Sequence, residues 1–295
     1  MHTAKEEVIS AILAKKELQS VDRGFILQEL EVFLRQDLKA RKYLASEKIS
    51  VRSGEFKRIV KAVRSRLRRA HSLFDLGKKS VGFPAFISSL DSVKSWKTLS
   101  ALGEDILASH ASSKERLSDY PLLFQWLVDE VGEFQNILDL GCGLHPLSLV
   151  FLDKKKLGNL NYTAYDINLS EKKLLNMFFE AVARLLPSFS GKADVLNLLN
   201  SGAAKFLASQ KPVDLCFMLK VTDHLDRGKG HKETEKILQA VQSSYVLLSF
   251  PTITRSGAPM RYPKRRWVEY LCRRLGYGFT TLQTKNELFY LIEKE

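Results

Sequence analysis

Apolar positions in the first part of the chain recur at helical spacing. In EEVISAILAKKEL they are Val8, Ile9, Ile12 and Leu13; in VDRGFILQELEVFLRQDL they are Phe25, Ile26, Leu30, Phe33 and Leu34. Both sets keep the three-and-four-residue rhythm of a single buried helix face. Phe56, Ile59, Val60, Val63 and Leu67 form a third stripe of the same kind. Residues 80–102, with Gly82, Pro84 and several serines, read as short elements or a linker. A serine-rich turn and a helix are expected in SHASSKERLSDYPLLFQWLVDEVG, with Leu117, Leu122, Leu123, Trp126 and Leu127 buried and an end near Gly132.

The rhythm then changes. NILDLGC, YTAYDI, KADVLNL, VDLCFMLKV and YVLLSFP are short apolar runs of strand character, and helical stretches such as EKKLLNMFFEAVARLL and ETEKILQAVQSS lie among them. After the helical RRWVEYLCRRLG, the segment FTTLQTKNELFYLIEK reads as two strands joined by a polar turn at Lys285 and Asn286. The alternation predicts an α/β fold, a mostly parallel sheet with helices on both faces. Two domains are expected: a helical one over residues 1–100 and an α/β one over 101–295.

Charge adds a function to the helical part. The chain carries a formal +13, of which residues 1–80 hold 19 Lys and Arg against 10 Asp and Glu. Eight basic residues and only Glu55 lie between Arg52 and Arg69. Lys57, Lys61, Arg64, Arg66, Arg68 and Arg69 largely avoid the apolar stripe, which gives an amphipathic helix with a cationic side. Arg255 to Arg274 is a second basic stretch, with seven basic residues and Glu269 alone opposing them. Such clusters fit phosphate contact, and a solvated helix face remains the plainer alternative.

Other classes are disfavoured. No apolar run approaches the eighteen or so residues that a membrane span needs. The N-terminus, MHTAKEEVISAILAKK, lacks the apolar block of a secretory signal. Three cysteines are too few and too scattered for a disulfide scaffold or a zinc knuckle, so a reducing, cytoplasmic setting is expected. His110, His145 and His224 have no metal-ligand spacing, and no metal is expected.

The strongest chemical signal is Asp139-Leu-Gly-Cys-Gly143, an acid ending a strand before a glycine turn. Gly141 and Gly143 permit a tight turn and close approach of a ligand to the backbone. Pro146 stands where a pyrophosphate-binding G-x-G-x-x-G would need glycine, and no G-K-[ST] follows. Asp166 ends the second strand 23 residues after Gly143, where a carboxylate is suited to the two hydroxyls of a ribose. Asp194 is suited to an adenine amino group. The set fits a nucleoside ligand. A structural βα turn, with Asp166 and Asp194 as strand-end caps, is the alternative.

On these residues the chain resembles the class I methyltransferases. More narrowly, SHASSKERL (109–117), ILDLGCGLHPL (137–147), AYDIN (164–168), FMLKVTDHLDR (217–227), SFPT (249–252) and NELFYLIEK (286–294) are similar, in order and spacing, to the aminoglycoside-resistance 16S ribosomal RNA guanine-N7 methyltransferases. The resemblance implies a Rossmann-like, seven-stranded sheet, S-adenosyl-L-methionine as cofactor, and methyl transfer to guanine N7 in the decoding region of the small ribosomal subunit by a monomeric enzyme. It further implies that Arg116 grips the cofactor carboxylate, that Gly141 and Gly143 lie under its methionine part, and that Asp166 and Asp194 bind ribose and adenine. By the same resemblance Lys220 stands near the site, and the target base enters at Ser249, Phe250 and Pro251. Phe250 is a stacking candidate and, equally, a good core residue. After SFPT the chain departs from the family with TITRSGAPMRYPKRRW, where Arg255 and Arg261 are expected to replace the family's RNA-contacting charges. A class I methyltransferase acting on tRNA, protein or a small molecule, and a catalytically silent RNA-binding protein, are the alternatives.

Overall fold

A computed structural model of the chain describes residues 2–19, 21–46, 49–71, 82–226, 230–254 and 258–294, by backbone alone at 2, 3, 17, 68–71, 82–85, 111 and 112. Its contacts divide it into two units. One comprises residues 1–81 with 167–170, the other 82–166 with 171–295. Residues 82–100 thus group with the sheet, whereas the sequence put the boundary at 100. They are not a linker but the helix Gly82–Asp91 and the start of the helix Trp96–Ser109.

The helical unit contains α1 (His2–Leu13), α2 (Arg23–Gln36), α3 (Leu38–Ala45) and α4 (Gly54–His71). Asp22 and Asp37 cap α2 and α3, accepting from the amides of Phe25 and Ala40 at 2.9 Å each. These bonds satisfy amides that have no carbonyl partner in the first turn. The expected stripes form the core: Val8, Ile9, Ile12, Phe25, Ile26, Leu30, Phe56, Ile59, Val63 and Leu67 are all buried. Inside this unit Val21 bridges Asn168, and the Asp22 amide donates to the Ile167 carbonyl at 3.2 Å.

The basic face of α4 is partly occupied. Arg58 donates to Asp37 at 2.7 Å and to both oxygens of Glu55 at 2.6 and 3.1 Å. Its guanidinium holds the Asp37 carboxyl at about 2. Arg66 donates to the buried Glu29 at 3.2 Å and to Gln36 at 3.1 Å, and Arg64 donates to the Ala11 carbonyl. Lys57 and Lys61 are exposed. The side chains of Arg68 and Arg69 lie outside the described residues.

In the other unit, strands β1 (Asn136–Leu140), β2 (Asn161–Asp166), β3 (Ser190–Val195), β4 (Val213–Leu219), β5 (Ser243–Pro251), β6 (Gly278–Gln283) and β7 (Glu287–Glu293) form one sheet in the order β3-β2-β1-β4-β5-β7-β6. The first five pair in parallel, and β7 inserts antiparallel between β5 and β6. Both faces are covered, so strands are apolar on both sides. Leu215 and Phe217 enter one core while Cys216 and Met218 enter the other. The helix Tyr120–Val131 buries Tyr120, Leu123, Phe124 and Leu127. Leu122, expected inside, is 53% exposed, because the buried stripe runs through Tyr120, Leu123, Phe124 and Leu127 and Leu122 falls off it.

One close approach joins the helix Leu169–Leu185 to the sheet edge. A Cβ at Gly191 of β3 would stand 2.6 Å from Cγ of Phe179 and 2.9 Å from Cε1 of Phe189. These two rings pack at 5.9 Å between centroids and cannot withdraw independently. Gly191→Ala is therefore expected to lower stability by about 1–3 kcal/mol, as overpacking does. Urea unfolding would measure it, and an unchanged midpoint would show that the rings yield freely.

Candidate active site

The strand order reverses between β1 and β4, and a crevice beyond the carboxyl ends of strands is expected at such a switch point. There β1 runs into Gly141 and Gly143, whose φ angles of 66° and 50° lie in the left-handed region. The amides of Gly141 and Cys142 donate to the Tyr165 carbonyl at 2.8 and 3.1 Å, which ties the turn to β2. A Cβ at 141 would come within 2.7 Å of Val221, just past β4. Glycine is needed there on two counts, the angle and the space.

The acids around the turn have distinct environments. Asp166 is buried, and its Oδ2 accepts from the Gly143 amide at 2.9 Å. Asp139 is also buried. Its Oδ2 accepts from the Tyr162 hydroxyl at 2.7 Å and lies 2.8 Å from His145 Nδ1. Its Oδ1 has no hydrogen-bond partner among the described residues. Glu171, in the first turn of the helix after β2, is buried as well, and burial pushes its carboxyl well above the ordinary range, with the Asp166 charge adding to the effect. Burial likewise pushes the Cys142 thiol well up, which keeps it protonated and unreactive. Asp194 stands apart: it is exposed and pairs with Lys172 at 2.7 Å. The glycine turn, Asp166 and the unpartnered Asp139 oxygen fit a nucleoside-bearing cofactor that approaches the backbone closely.

A second cluster lies at the ends of β4, β5 and β7. Arg116 makes a two-pronged ion pair with Glu287, at 3.0 Å to Oε2 and 2.6 Å to Oε1, and both residues are buried. Lys220 reaches Glu115 at 3.1 Å and Glu287 at 3.4 Å. Its φ of 54° is unusual for a residue with a side chain, and its amide donates to Ser249 Oγ at 3.0 Å. Burial alone would raise the Glu287 carboxyl, but the charges of Arg116 and Lys220 outweigh it and hold the group below its ordinary range. The sequence marked Arg116, Lys220 and Ser249 and missed Glu287; its only sign was an acid placed directly before the apolar run LFYLI.

The stretch after β5 folds back on itself. Met260 donates its amide to the Thr252 carbonyl at 2.8 Å, and Ile253 bridges Pro259. Arg265, also unmarked by the sequence, holds this stretch, donating to the Tyr262 and Pro263 carbonyls at 3.0 Å each while its own amide donates to the Tyr290 hydroxyl at 3.0 Å. Phe250, the stacking candidate, is only 1% exposed. Trp267 and Tyr290 meet its ring edge-on, and the Arg265 guanidinium lies 5.3 Å from its centroid, so no face is open to a base. Pro251 is half-buried and Arg261 exposed; Arg255 lies outside the described residues. Among the described residues no group of His, Cys, Asp and Glu is arranged to hold a metal, and no helix is long and apolar enough to cross a membrane.

Residues 39–291 match the family described as ribosomal RNA methyltransferase (FmrO). The chain belongs to that family. Its cofactor is accordingly S-adenosyl-L-methionine, and the sheet is the Rossmann-like sheet of the class I methyltransferases. A relative from Micromonospora echinospora, a 16S rRNA (guanine(1405)-N(7))-methyltransferase, is 24% identical over 193 residues, a match spanning 64% of each chain. One of the same name from Frankia casuarinae is 22% identical over 240 residues, 79% of this chain and 80% of the relative. Among solved structures, the 16S rRNA methyltransferase RmtF in complex with S-adenosyl-L-homocysteine is similar over the whole of both chains, at 21% identity and a TM-score of 0.72.

Two outcomes follow from this geometry. Asp166→Ala is expected to weaken binding of S-adenosylhomocysteine about 10- to 100-fold, the usual worth of hydrogen bonds to a charged group. Calorimetry measures it, and unchanged affinity would remove Asp166 from the cofactor site. Glu287→Gln leaves Arg116 buried without its counter-charge and should cost about 3–5 kcal/mol. Because the Glu287 carboxyl is lowered in the folded state, its contribution is present above its ordinary value of 4.5 and is lost as pH falls through the lower, folded value. The gap in urea midpoint between wild type and variant should therefore be constant above about pH 4.5 and close as pH falls through the lower, folded value; a gap that stayed constant across that range would contradict the assignment.

Proposed function

We propose that the protein methylates N7 of a guanine in the decoding region of 16S rRNA, with the assembled small subunit as substrate. The observation that carries this is the extent of the family match. It begins at residue 39 and ends at 291 in β7, so the cationic helix α4 and the glycine turn both fall within the matched residues, while α1 and α2 precede them. The relatives of Micromonospora echinospora and Frankia casuarinae are named for that reaction.

The chemistry asks little of acid or base. When bound, the cofactor supplies a sulfonium-activated methyl group. Guanine N7 offers an in-plane lone pair and carries no hydrogen, so attack on that methyl needs no general base. The protein has to align the base and exclude water. The cluster of Arg116, Lys220, Glu115 and Glu287 is charge-balanced and suits a base that becomes cationic as the methyl arrives. Lys220 and Ser249, joined through the Lys220 amide, position the base, and Pro251 borders it. A base inside an RNA helix must be extruded to reach such a crevice.

Docking belongs to the helical unit. Lys57 and Lys61, with Arg64, line a hollow of about 320 Å³ floored by Val51, Phe56 and Val60. Arg64 and Arg66 serve their own unit first, through the Ala11 carbonyl and Glu29, which leaves the exposed lysines to meet phosphates. Arg68, Arg69, Arg255 and Arg261 add charge to the two basic stretches. The enzyme acts as a cytoplasmic monomer, where subunits are found.

The deciding experiment offers purified small subunits, extracted rRNA, tRNA and total protein with labelled cofactor and maps the product. Methylated guanine N7 in the decoding region of the subunit is the expected result. Labelling of tRNA or protein with subunits silent overturns the substrate, N1-methyladenine overturns the chemistry, and no transfer despite cofactor binding favours a silent RNA-binding protein. Lys57→Gln with Lys61→Gln should weaken subunit binding and flatten its salt dependence by about two units of log–log slope, with cofactor affinity unchanged.

A further inference from the structure

The helix Arg266–Leu275 turns one face to solvent that neither the cofactor turn nor the base crevice uses. Arg266, Tyr270 and Arg273 stand four and three residues apart and so share that face. All are exposed, Tyr270 to 68%. The stretch just before the helix presents Tyr262, 71% exposed, with the Arg261 guanidinium 5.2 Å from its ring centroid, and the exposed Lys264. Among the described residues these two are the most exposed aromatic side chains, and both fall in one basic segment.

The charges on this face are not spent internally. Among the described residues Arg261, Lys264, Arg266 and Arg273 form no ion pair. Glu269, the one acid of the helix, is spaced to pair with Arg266 or Arg273 and instead accepts from the Tyr290 hydroxyl at 3.4 Å. Arg274 is the exception and pairs with Glu235 at 2.6 Å. Arg265, through its bonds to the Tyr262 and Pro263 carbonyls, fixes the backbone that carries Tyr262. A water-exposed tyrosine between unpaired guanidinium groups is poorly suited to a protein core contact and well suited to nucleic acid: the ring offers a π-face to a base and the arginines meet flanking phosphates.

We propose that this face, Tyr270 between Arg266 and Arg273 with Tyr262 on the stretch leading into the helix, is a stacking platform for an unpaired nucleotide of the ribosomal RNA, separate from the guanine that is methylated. The proposal rests on the ribosomal substrate proposed above. It gives the basic stretch 255–274 a role beyond charge. The arginines supply sequence-independent affinity, and the tyrosines require a base free of its helix, so the platform selects a folded RNA surface over plain duplex.

The test uses the full chain and purified small subunits. Tyr270→Ala should raise KM for subunits about 5- to 100-fold, the loss expected for one base–aromatic stack, with kcat and S-adenosylhomocysteine affinity unchanged. Tyr270→Phe keeps the ring and should behave as wild type. Arg266→Gln and Arg273→Gln should each lower the salt slope of binding by about one. In chemical footprinting, wild type should shield one unpaired base away from the methylated guanine, and Tyr270→Ala should restore its reactivity. Normal KM in Tyr270→Ala while wild type methylates subunits overturns the platform. Loss in Tyr270→Ala with no base shielded also overturns it and points to a ribosomal protein on this face. If wild type binds subunits but methylates none, the proposed reaction falls while the Tyr270 comparison, read by binding, still decides the platform. If wild type does not bind subunits, both fall.

Discussion

The pair between Arg116 and Glu287 joins residues 171 positions apart in a place that water does not reach. Taking both charges out of water is expensive, and the pair is tolerable only because the fork of the guanidinium meets both carboxylate oxygens. That requirement fixes more than two side chains. Glu287 opens β7, so the pair holds the start of that strand against the Ser113–Arg116 turn. Asn286, one residue earlier, donates to the Glu115 carbonyl at 3.0 Å and accepts from the Thr252 amide through its own carbonyl at 2.9 Å. Lys220, at the end of β4, leans on the same carboxylate. Three strand ends and the SSKER turn are thus registered on one buried acid. A leucine pair of the same volume would hold them as firmly at lower cost, but with neither the direction nor the local charge.

Much of this architecture was legible in the residues. Strand runs bounded by glycine and polar turns, and a change of rhythm near residue 132, carried the α/β fold and the order of its elements. The glycine turn was legible because only glycine combines a left-handed φ with no side chain at 141, where Val221 leaves no room. Burial phase was less secure. Leu122 was assigned to the buried face from apolarity but lies outside, and Tyr120 and Phe124, which the pattern did not mark, join Leu123 and Leu127 there, with Trp126 partly buried at the side. Phe250 offered two equal readings in the sequence, and the enclosure of its ring by Trp267, Tyr290 and Arg265 comes from segments that no local pattern connects.

Charge was the most ambiguous signal. A run of arginines along α4 has one appearance in the sequence whether it faces phosphates or neighbouring helices. In the fold it is divided. Arg66 serves Glu29, which is 1% exposed and would otherwise be a buried carboxylate with far less compensation; Arg58 serves Asp37 and Glu55. Arg116 carries the same lesson. As a lone arginine in a familiar motif it suggested a grip on the cofactor carboxylate, whereas its guanidinium is already engaged by Glu287. Counting residues of one sign measures a field at long range; it does not tell which of them a ligand can reach.

Backbone strain links the two halves of the site. Lys220 occupies a left-handed conformation that costs a residue with a side chain about 1–3 kcal/mol, and its amide is held there by Ser249 at the end of β5. The consequence falls on the next residue. Val221 is directed against Gly141, at the distance where a Cβ would collide. The glycine turn after β1 and the end of β4 are therefore in van der Waals contact, each shaped to admit the other. Val221 follows Lys220 directly in the chain and stands against Gly141, so a shift of Lys220 is passed on to the glycine turn. On the function proposed above, alignment of methyl donor and acceptor, which that chemistry needs more than any acid or base, rests on the packing of Gly141, Val221, Lys220 and Ser249 at one switch point.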